Sequence, residues 1–218
     1  MIERLLPAEV ISAEIVGDDP TAALLPEEQA MVARSVEKRR REVTNARTCA
    51  RRALGRLGLP ATPILRGAKG EPLWPAGVVG SITHTAGYYA AAVADAGRVR
   101  SVGIDAEVHD QLPDGVLRHI AVAEELAWLK EIGRHQAIWW ERLLFSAKES
   151  VYKAWFPLAR RWLGFEDALI TFDPDAGTFA VRLLVDGTVE SGPPLSELSG
   201  RFLAEDGYVL TAITLPHH

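Results

Sequence analysis

Three apolar runs, Val78 to His84, Tyr88 to Ala94 and Val99 to Glu107, are separated only by short turns at Ala86-Gly87 and Asp95-Ala96-Gly97. Connections this short cannot carry the helix that joins parallel strands, so the spacing predicts an antiparallel three-stranded meander. Helical patterns lie on both sides of it, which makes the expected class α+β rather than a doubly wound parallel sheet.

On the amino-terminal side, Pro26 suits a first turn, Glu27 and Glu28 complement a helix dipole, and Gly58 with Pro60 supplies a stop. Val32, Val36, Val43, Ala46, Ala50, Leu54 and Leu57 recur at helical spacing and are the expected core face. On the other side a helix is expected over 123–132, an interruption at Gly133, and a second helix from about Gln136 to Phe156, stopped by Pro157. Its buried stripe is Trp140, Leu143, Leu144, Ala147, Val151 and Trp155. Strands over 168–172, 178–185 and 208–215 close the chain, with 186–194 a loop. At 218 residues and 48% hydrophobic content the chain can close a core, as one large domain or two small packed halves. Each half offers strands and a helix, although no residue-level repeat proves duplication.

The net charge of -5 hides an asymmetry. Between Arg34 and Arg56 nine cations face only Glu37 and Glu42, a local excess of +7 that leaves -12 for the remainder. That segment is either a solvated basic face or a phosphate clamp. A further cation-bearing loop, Arg66-Gly67-Ala68-Lys69-Gly70-Glu71-Pro72, has glycines that permit tight backbone, and it is not a Walker loop. The single Cys49 excludes an internal disulfide, and the chain reads as cytoplasmic. No apolar run of about 18 residues supports a membrane span, and the start of the chain lacks the pattern of an export signal.

In Val102-Gly103-Ile104-Asp105-Ala106-Glu107, strand alternation throws Asp105 and Glu107 to one face. Paired carboxylates repel unless a cation intervenes, and hard oxygen ligands suit Mg2+ or Mn2+ better than zinc, although such a pair also occurs at plain strand ends. In Phe145-Ser146-Ala147-Lys148-Glu149-Ser150-Val151-Tyr152-Lys153, Glu149 and Lys153 share a helix face, either as an ordinary ion pair or as reactive groups kept in an apolar helix. His84, after Ser81 and Thr83, is decisive only in company.

Taken in order, Gly80-Ser-Ile-Thr-His84, Val102-Gly-Ile-Asp-Ala-Glu107 and Phe145-Ser-Ala-Lys-Glu-Ser-Val-Tyr-Lys153 resemble the three motif blocks of the 4'-phosphopantetheinyl transferases. The resemblance is to the larger, two-half type that includes the surfactin-synthetase activator and the enterobactin synthetase component D group. Trp162-Leu-Gly-Phe-Glu-Asp167 resembles the actinobacterial members, and Phe145 stands where the family usually has Trp. The resemblance implies a pseudo-dimer of two similar halves, each of antiparallel strands packed with a long helix. A coenzyme A clamp in 1–100 and the metal and catalytic residues in 101–218 would face one cleft, in a monomer.

It implies transfer of the phosphopantetheine arm of coenzyme A to a serine of an apo acyl or peptidyl carrier protein, with release of adenosine 3',5'-bisphosphate. Such carriers serve polyketide, nonribosomal peptide, siderophore and fatty acid biosynthesis. Asp105, Glu107 and Glu149 are the implied Mg2+ ligands, with Mn2+ an alternative. Glu149, Lys153 and Asp105 are the implied catalytic residues, Lys153 neutralising the leaving phosphate. Glu149 as general base competes with Glu149 as metal ligand. The cofactor-binding positions are Arg39, Arg47, Arg66, Lys69, Thr83, His84, Lys148 and Lys153, with Arg51 a lesser addition. The choice among Arg39, Arg40 and Arg41 depends on helix phase. Arg160 and Arg161 are candidates, by charge, for receiving an acidic carrier. Two other classes use part of the pattern: a non-catalytic coenzyme A or nucleotide-binding module that uses the clamp as a sensor and needs neither Glu149 nor a metal, and a nucleic-acid binder on the basic helix. The remaining -12 opposes the latter, and no nucleic acid or membrane partner is expected.

Overall fold

The computed structural model describes residues 1–132 and 138–217. Gly133 and Gln136, where the sequence places a helix break and a helix start, lie outside the described residues. The elements run β1 (Ile11–Val16), a 3-10 turn (Pro26–Val32), α1 (Glu37–Arg56), β2 (Leu65–Arg66), β3 (Pro72–Leu73), β4 (Val78–Thr85), β5 (Tyr88–Asp95) and β6 (Val99–Val108). Then follow α2 (Leu117–Ile120), α3 (Ala123–Ile132), α4 (Trp140–Ala159), β7 (Ala168–Asp173), β8 (Thr178–Leu183), β9 (Glu197–Glu205) and β10 (Tyr208–Pro216). Every strand pair is antiparallel, in a three-stranded sheet β1-β5-β4, a five-stranded sheet β6-β10-β9-β8-β7 and a ribbon β2-β3, so the class is the α+β one expected.

The meander is not continuous. β4 and β5 form the expected hairpin, but β1 occupies the far edge of β5, and β6 leaves to pair with β10. The free edge of β6 is met by β4 through side chains. The Ser81 hydroxyl accepts from the Ile104 amide at 3.1 Å, and the Thr83 hydroxyl accepts from the Ala106 amide at 3.0 Å. Two hydroxyls thus satisfy backbone donors that a sheet edge would otherwise leave open.

Strand parity on β5 and β6 sets the layers. Tyr89, Ala91 and Val93 pack against Cys49, Ala50, Ala53 and Leu54 of α1. Tyr88, Ala90, Ala92 and Ala94 turn the other way, onto Val102, Ile104 and Ala106 of β6 and Leu210 and Ala212 of β10. The many alanines let the two sheets approach closely. The far face of the second sheet packs under α4, whose Trp140, Leu143, Leu144, Ala147, Val151 and Trp155 are all buried as expected, with Phe172, Phe179 and Phe202 opposite.

The helix expected to begin at Pro26 is two elements. The first turn stops at Val32, Val36 is 73% exposed in extended backbone, and α1 starts at Glu37. The cause is Glu28, whose side chain accepts the Leu25 amide and is fully buried, fixing the first turn as a separate anchor. At the other end, Gly58 adopts φ +86 just past Leu57, as a helix stop requires. α4 runs one half-turn beyond Pro157 to a left-handed cap at Arg160. β1 and β9 are strands with no counterpart in the sequence reading, β9 because its solvent face is charged and its core face interrupted by Gly200.

α4 rests directly on β6 at Gly103. A Cβ there would lie 2.0 Å from the Ser150 carbonyl oxygen and 2.7 Å from the Ala154 nitrogen, both backbone atoms. Ser101, two residues earlier, donates to the Ala154 carbonyl at 2.7 Å. Gly103→Ala should therefore destabilise the fold by on the order of 3 kcal/mol, read as a lower urea midpoint at unchanged slope. A midpoint equal to that of the parent chain would refute this contact.

Candidate active site

The face of β6 that carries Ser101 and Gly103 also carries Asp105 and Glu107, and all four reach α4. Lys153 donates to Asp105 Oδ1 at 2.6 Å and to the Ile104 carbonyl at 3.1 Å, while Arg142 donates to Glu107 Oε2 at 3.2 Å. Beside this seam lies a cleft of about 580 Å³. Arg39, Val43, Ala46 and Arg47 of α1 line one wall, Glu149, Tyr152, Lys153 and Phe156 of α4 the other, and Arg66, Lys69 and Glu71 of the β2–β3 segment its rim. Positions 39, 43, 46 and 47 share one helix face, so helix phase selects Arg39 over Arg40 and Arg41. The latter two pair outward with Glu37 and Asp18.

The cations on the cleft are held in place. Arg39 donates to His84 Nε2 at 2.9 Å and to Glu42 at 3.0 Å. Because a guanidinium only donates, His84 must accept at Nε2 and carry its proton on Nδ1. Burial, then the charge of Arg39, lowers its pKa below the ordinary imidazole value, in keeping with a neutral ring. Arg47 is 6% exposed and gives Nε to the Ile64 carbonyl at 2.6 Å, and burial lowers its pKa to about 10. Glu71, across the rim, pairs with Arg160 at 3.7 Å, so Arg160 belongs to the cleft mouth. Arg161 instead donates to the carbonyls of Asp186 and Thr188.

Burial and neighbouring charge act on two of the three acids. Glu107 is pushed up to about 7 by burial and then by Asp105, with Glu149 adding to the effect and Arg142 opposing it. Glu149 is raised by burial and by Asp105, while Lys153 opposes. Among the described residues no group of three His, Cys, Asp or Glu side chains stands drawn together as a ready-made metal cage. The donor chemistry nevertheless fits a hard divalent ion. Asp105 Oδ2 is buried without a hydrogen-bond partner, and Glu107 and Glu149 are raised above the ordinary carboxylate range by burial and then by the negative charge of Asp105.

Residues 27–94 match the family model of the 4'-phosphopantetheinyl transferase N-terminal domain, and residues 101–212 match that of the 4'-phosphopantetheinyl transferase superfamily. The chain belongs to this superfamily. It is 53% identical, over 99% of its length and 98% of the relative's, to the 4'-phosphopantetheinyl transferase PptT of Mycobacterium tuberculosis. It is 51% identical to the 4'-phosphopantetheinyl transferase Npt of Nocardia iowensis, over 98% and 99% of the two chains. To the 4'-phosphopantetheinyl transferase Svp of Streptomyces mobaraensis it is 50% identical, over 99% and 89%. As a superfamily member the chain is an enzyme of the transferase class. No helix among the described residues is long and apolar enough to cross a membrane.

Against the site residues expected from the superfamily motifs, the structure brings Arg39, Arg47, Arg66, Lys69, His84, Glu149 and Lys153 to the cleft. Asp105 stands just behind Lys153, and Glu107 is turned to Arg142. Two expected cofactor ligands are placed otherwise. Thr83 is 2% exposed, and its hydroxyl accepts from Ala106 and donates to Asp105 Oδ1 at 3.2 Å, so it orients that carboxylate. Lys148 is 3% exposed and spends its ammonium on Glu125 at 2.8 Å and on the carbonyls of Phe165 and Ala168 at 2.6 and 2.9 Å. Three donors with three partners leave none for a phosphate. Arg51 likewise pairs with Glu28, away from the cleft. Motif spacing did not show Arg142, Glu71 or the apolar wall of Trp74, Tyr152 and Phe156. Tyr152, between the two motif lysines, was the available signal for part of that wall.

Removing Lys148 would strand Glu125 as a buried, unpaired carboxylate. Lys148→Ala is expected to cost about 3–5 kcal/mol in urea unfolding. A stability loss under about 1 kcal/mol, together with weakened coenzyme A binding, would return Lys148 to the cofactor site.

Proposed function

We propose that the chain transfers the 4'-phosphopantetheine arm of coenzyme A to a serine hydroxyl of an apo acyl or peptidyl carrier protein, releasing adenosine 3',5'-bisphosphate, with Mg2+ or Mn2+ as its metal. The observation that carries this reading is one cleft walled by the arginine face of α1 and by Glu149 and Lys153 of α4, with buried Asp105 behind Lys153. The full-length likeness to three 4'-phosphopantetheinyl transferases supports it. A pure coenzyme A sensor would have no use for buried Asp105 and two neighbouring glutamates whose pKa values are raised by burial.

In this reading residues 1–100 form the coenzyme A side and 101–218 the metal and catalytic side of a monomer acting in the cytoplasm on carrier proteins. Two matching knots support the two-half division. Buried Glu28 accepts the amides of Leu25 and Ile64 and pairs with Arg51 of α1. Buried Glu125 accepts the amides of Val122 and Ile170 and pairs with Lys148 of α4.

Arg39, Arg47, Arg66, Lys69 and His84 grip the phosphates, the 3'-phosphate included. Asp105, Glu107 and Glu149 would hold the divalent ion, whose chemistry there is neutralisation of the diphosphate oxygens. Thr83 fixes Asp105 for that role. The serine oxygen attacks the β-phosphorus, and the bond from that phosphorus to the bridging oxygen breaks. Lys153 balances the charge that accumulates on the departing phosphate. Glu149, its pKa raised by burial, is the group in this reading that takes the serine proton.

Incubation of the enzyme with coenzyme A, Mg2+ and a panel of apo carriers should add the mass of the phosphopantetheine arm to a carrier serine in intact-protein mass spectrometry. Glu149→Gln should lower turnover at least about 100-fold while calorimetric coenzyme A binding survives. Unmodified carriers across the panel would sink the proposal.

The neutral state of His84 has a pH signature. A phosphate dianion beside the ring favours the imidazolium, so binding takes up a proton and affinity rises as pH falls. Between pH 7.5 and 6, coenzyme A should bind more tightly to the parent chain than to His84→Gln, with a difference growing by up to about tenfold per pH unit. In the ligand-free protein the sign reverses: a lowered pKa contributes stability above 6.5 that is lost as pH falls through the folded value. Parallel pH profiles for the two proteins would remove His84 from the phosphate site.

A further inference from the structure

Glu28 is a carboxylate with no exposed surface, and none of the chemistry above uses it. Its Oε1 accepts the Ile64 amide at 2.9 Å, and its Oε2 accepts the Leu25 amide at 2.9 Å and Arg51 Nη1 at 2.5 Å. The other end of Ile64 is held too, since its carbonyl accepts Arg47 Nε at 2.6 Å. Ile64 is itself fully buried against α1. A single residue is therefore clamped between an acid from the first turn and a cleft arginine from α1, and Arg66, a second cleft arginine, follows it by two residues.

Glu28 acts on Arg47 through charge as well. Arg47 is nearly closed off from water, and the negative charge of Glu28 is the largest influence opposing the effect of its burial. Nearby Arg39, Arg51 and Arg66 all push the other way. A cluster of guanidiniums this close repels itself, and it stays assembled before any phosphate arrives only if an anion sits behind it. Arg51 is the member of the cluster that neutralises Glu28 directly, leaving Arg47 and Arg66 turned toward the cleft.

We propose that Glu28 is a positioning residue for cofactor recognition: through Ile64 and Arg51 it holds Arg47 and Arg66 at the spacing that reads the 3'-phosphate of coenzyme A. The inference rests on the coenzyme A reading of the cleft. It assigns Glu28 a specificity role, discrimination between coenzyme A and its 3'-dephospho form, that does not pass through the reacting atoms. The matching Glu125 knot holds Ile170 in the same manner but has no arginine of the cradle on the carbonyl side, so it serves as an internal control.

The test compares the parent chain with Glu28→Gln, Glu28→Asp and Glu125→Gln. Thermal midpoint, calorimetric binding of coenzyme A and of 3'-dephospho-coenzyme A, and kcat and KM with an apo carrier are measured for each. Glu28→Gln should raise KM and Kd for coenzyme A about tenfold, keep kcat within about twofold, and cut the preference over the 3'-dephospho form by a similar factor. Glu28→Asp keeps the charge on a shorter arm and should recover part of that preference. Glu125→Gln should lose thermal stability without losing the preference. Unchanged affinity and preference in a folded Glu28→Gln would overturn the assignment. So would an equal loss of preference in Glu125→Gln, which would mean general loosening. If Glu28→Gln does not fold, Glu28→Asp decides, and an unaltered preference there overturns it as well. Failure of the parent chain to modify any carrier counts against the transferase reading alone, because the two binding titrations judge Glu28 without turnover.

Discussion

The closeness of α4 to β6 at Gly103 is the constraint on which the site depends. Two backbones meet where no Cβ intervenes, and only at that distance can Lys153, on a helix, reach Asp105, on a strand, at 2.6 Å. The same seam carries Ser101 to the Ala154 carbonyl and Arg142 to Glu107. Strand alternation then does the rest. Residues 101, 103, 105 and 107 share the helix-facing side, while Val102, Ile104 and Ala106 bury themselves in the alanine-rich layer between the sheets. The acid-bearing face and the core face belong to one strand, so the placement of the acids is inseparable from the packing that stabilises the sheet.

Buried carboxylates recur with opposite uses. Glu28 and Glu125 are fully satisfied by amides and by a cation each; Glu28 fastens the Ile64 segment to α1, and Glu125 fastens β7 to α4. Asp105 is left with one oxygen unpartnered, and Glu107 and Glu149 carry raised pKa values. The physical difference is whether backbone donors surround the acid. A carboxylate that accepts two amides and one cation is quiescent, whereas one short of donors holds a demand for positive charge that a ligand can meet. That contrast separates scaffold acids from site acids without reference to any motif.

The parity of β6 and the apolar stripe of α4 were legible because each follows from a local period, two residues or nearly four, that tertiary contacts only confirmed. The break between Val32 and Glu37 was not, since it depends on Glu28 bonding to Ile64, 36 residues away. Thr83 and Lys148 lie inside motif blocks, and the motif says nothing about direction. Thr83 neighbours His84 on a strand, so the two must face opposite ways, and His84 has the cleft. Lys148 neighbours Glu149 on a helix, about 100° round, and that rotation turns it inward to Glu125. β6 left the expected meander because β1, whose short run gave no distinct pattern, already occupied the far edge of β5.

The basic segment shows how composition overstates a binding surface. Of its arginines, Arg40 pairs with Glu37, Arg41 with Asp18, Arg51 with Glu28 and Arg52 with Asp19, while Arg56 donates to the Ser12 carbonyl at 2.6 Å. The acids that neutralise them come mostly from the 18–28 stretch, outside the window in which the charge excess was counted. Arg39 and Arg47 are eight residues apart on the cleft side of α1, with Val43 and Ala46 between them. Most of the positive field is thus cancelled along the outer face and survives where two guanidiniums meet Arg66 and Lys69 at the rim. Along the outer face of the helix Arg40, Arg41 and Arg52 are already paired with acids, whereas Arg39, Arg47, Arg66 and Lys69 are gathered at the cleft, where the field a polyanion would meet is concentrated.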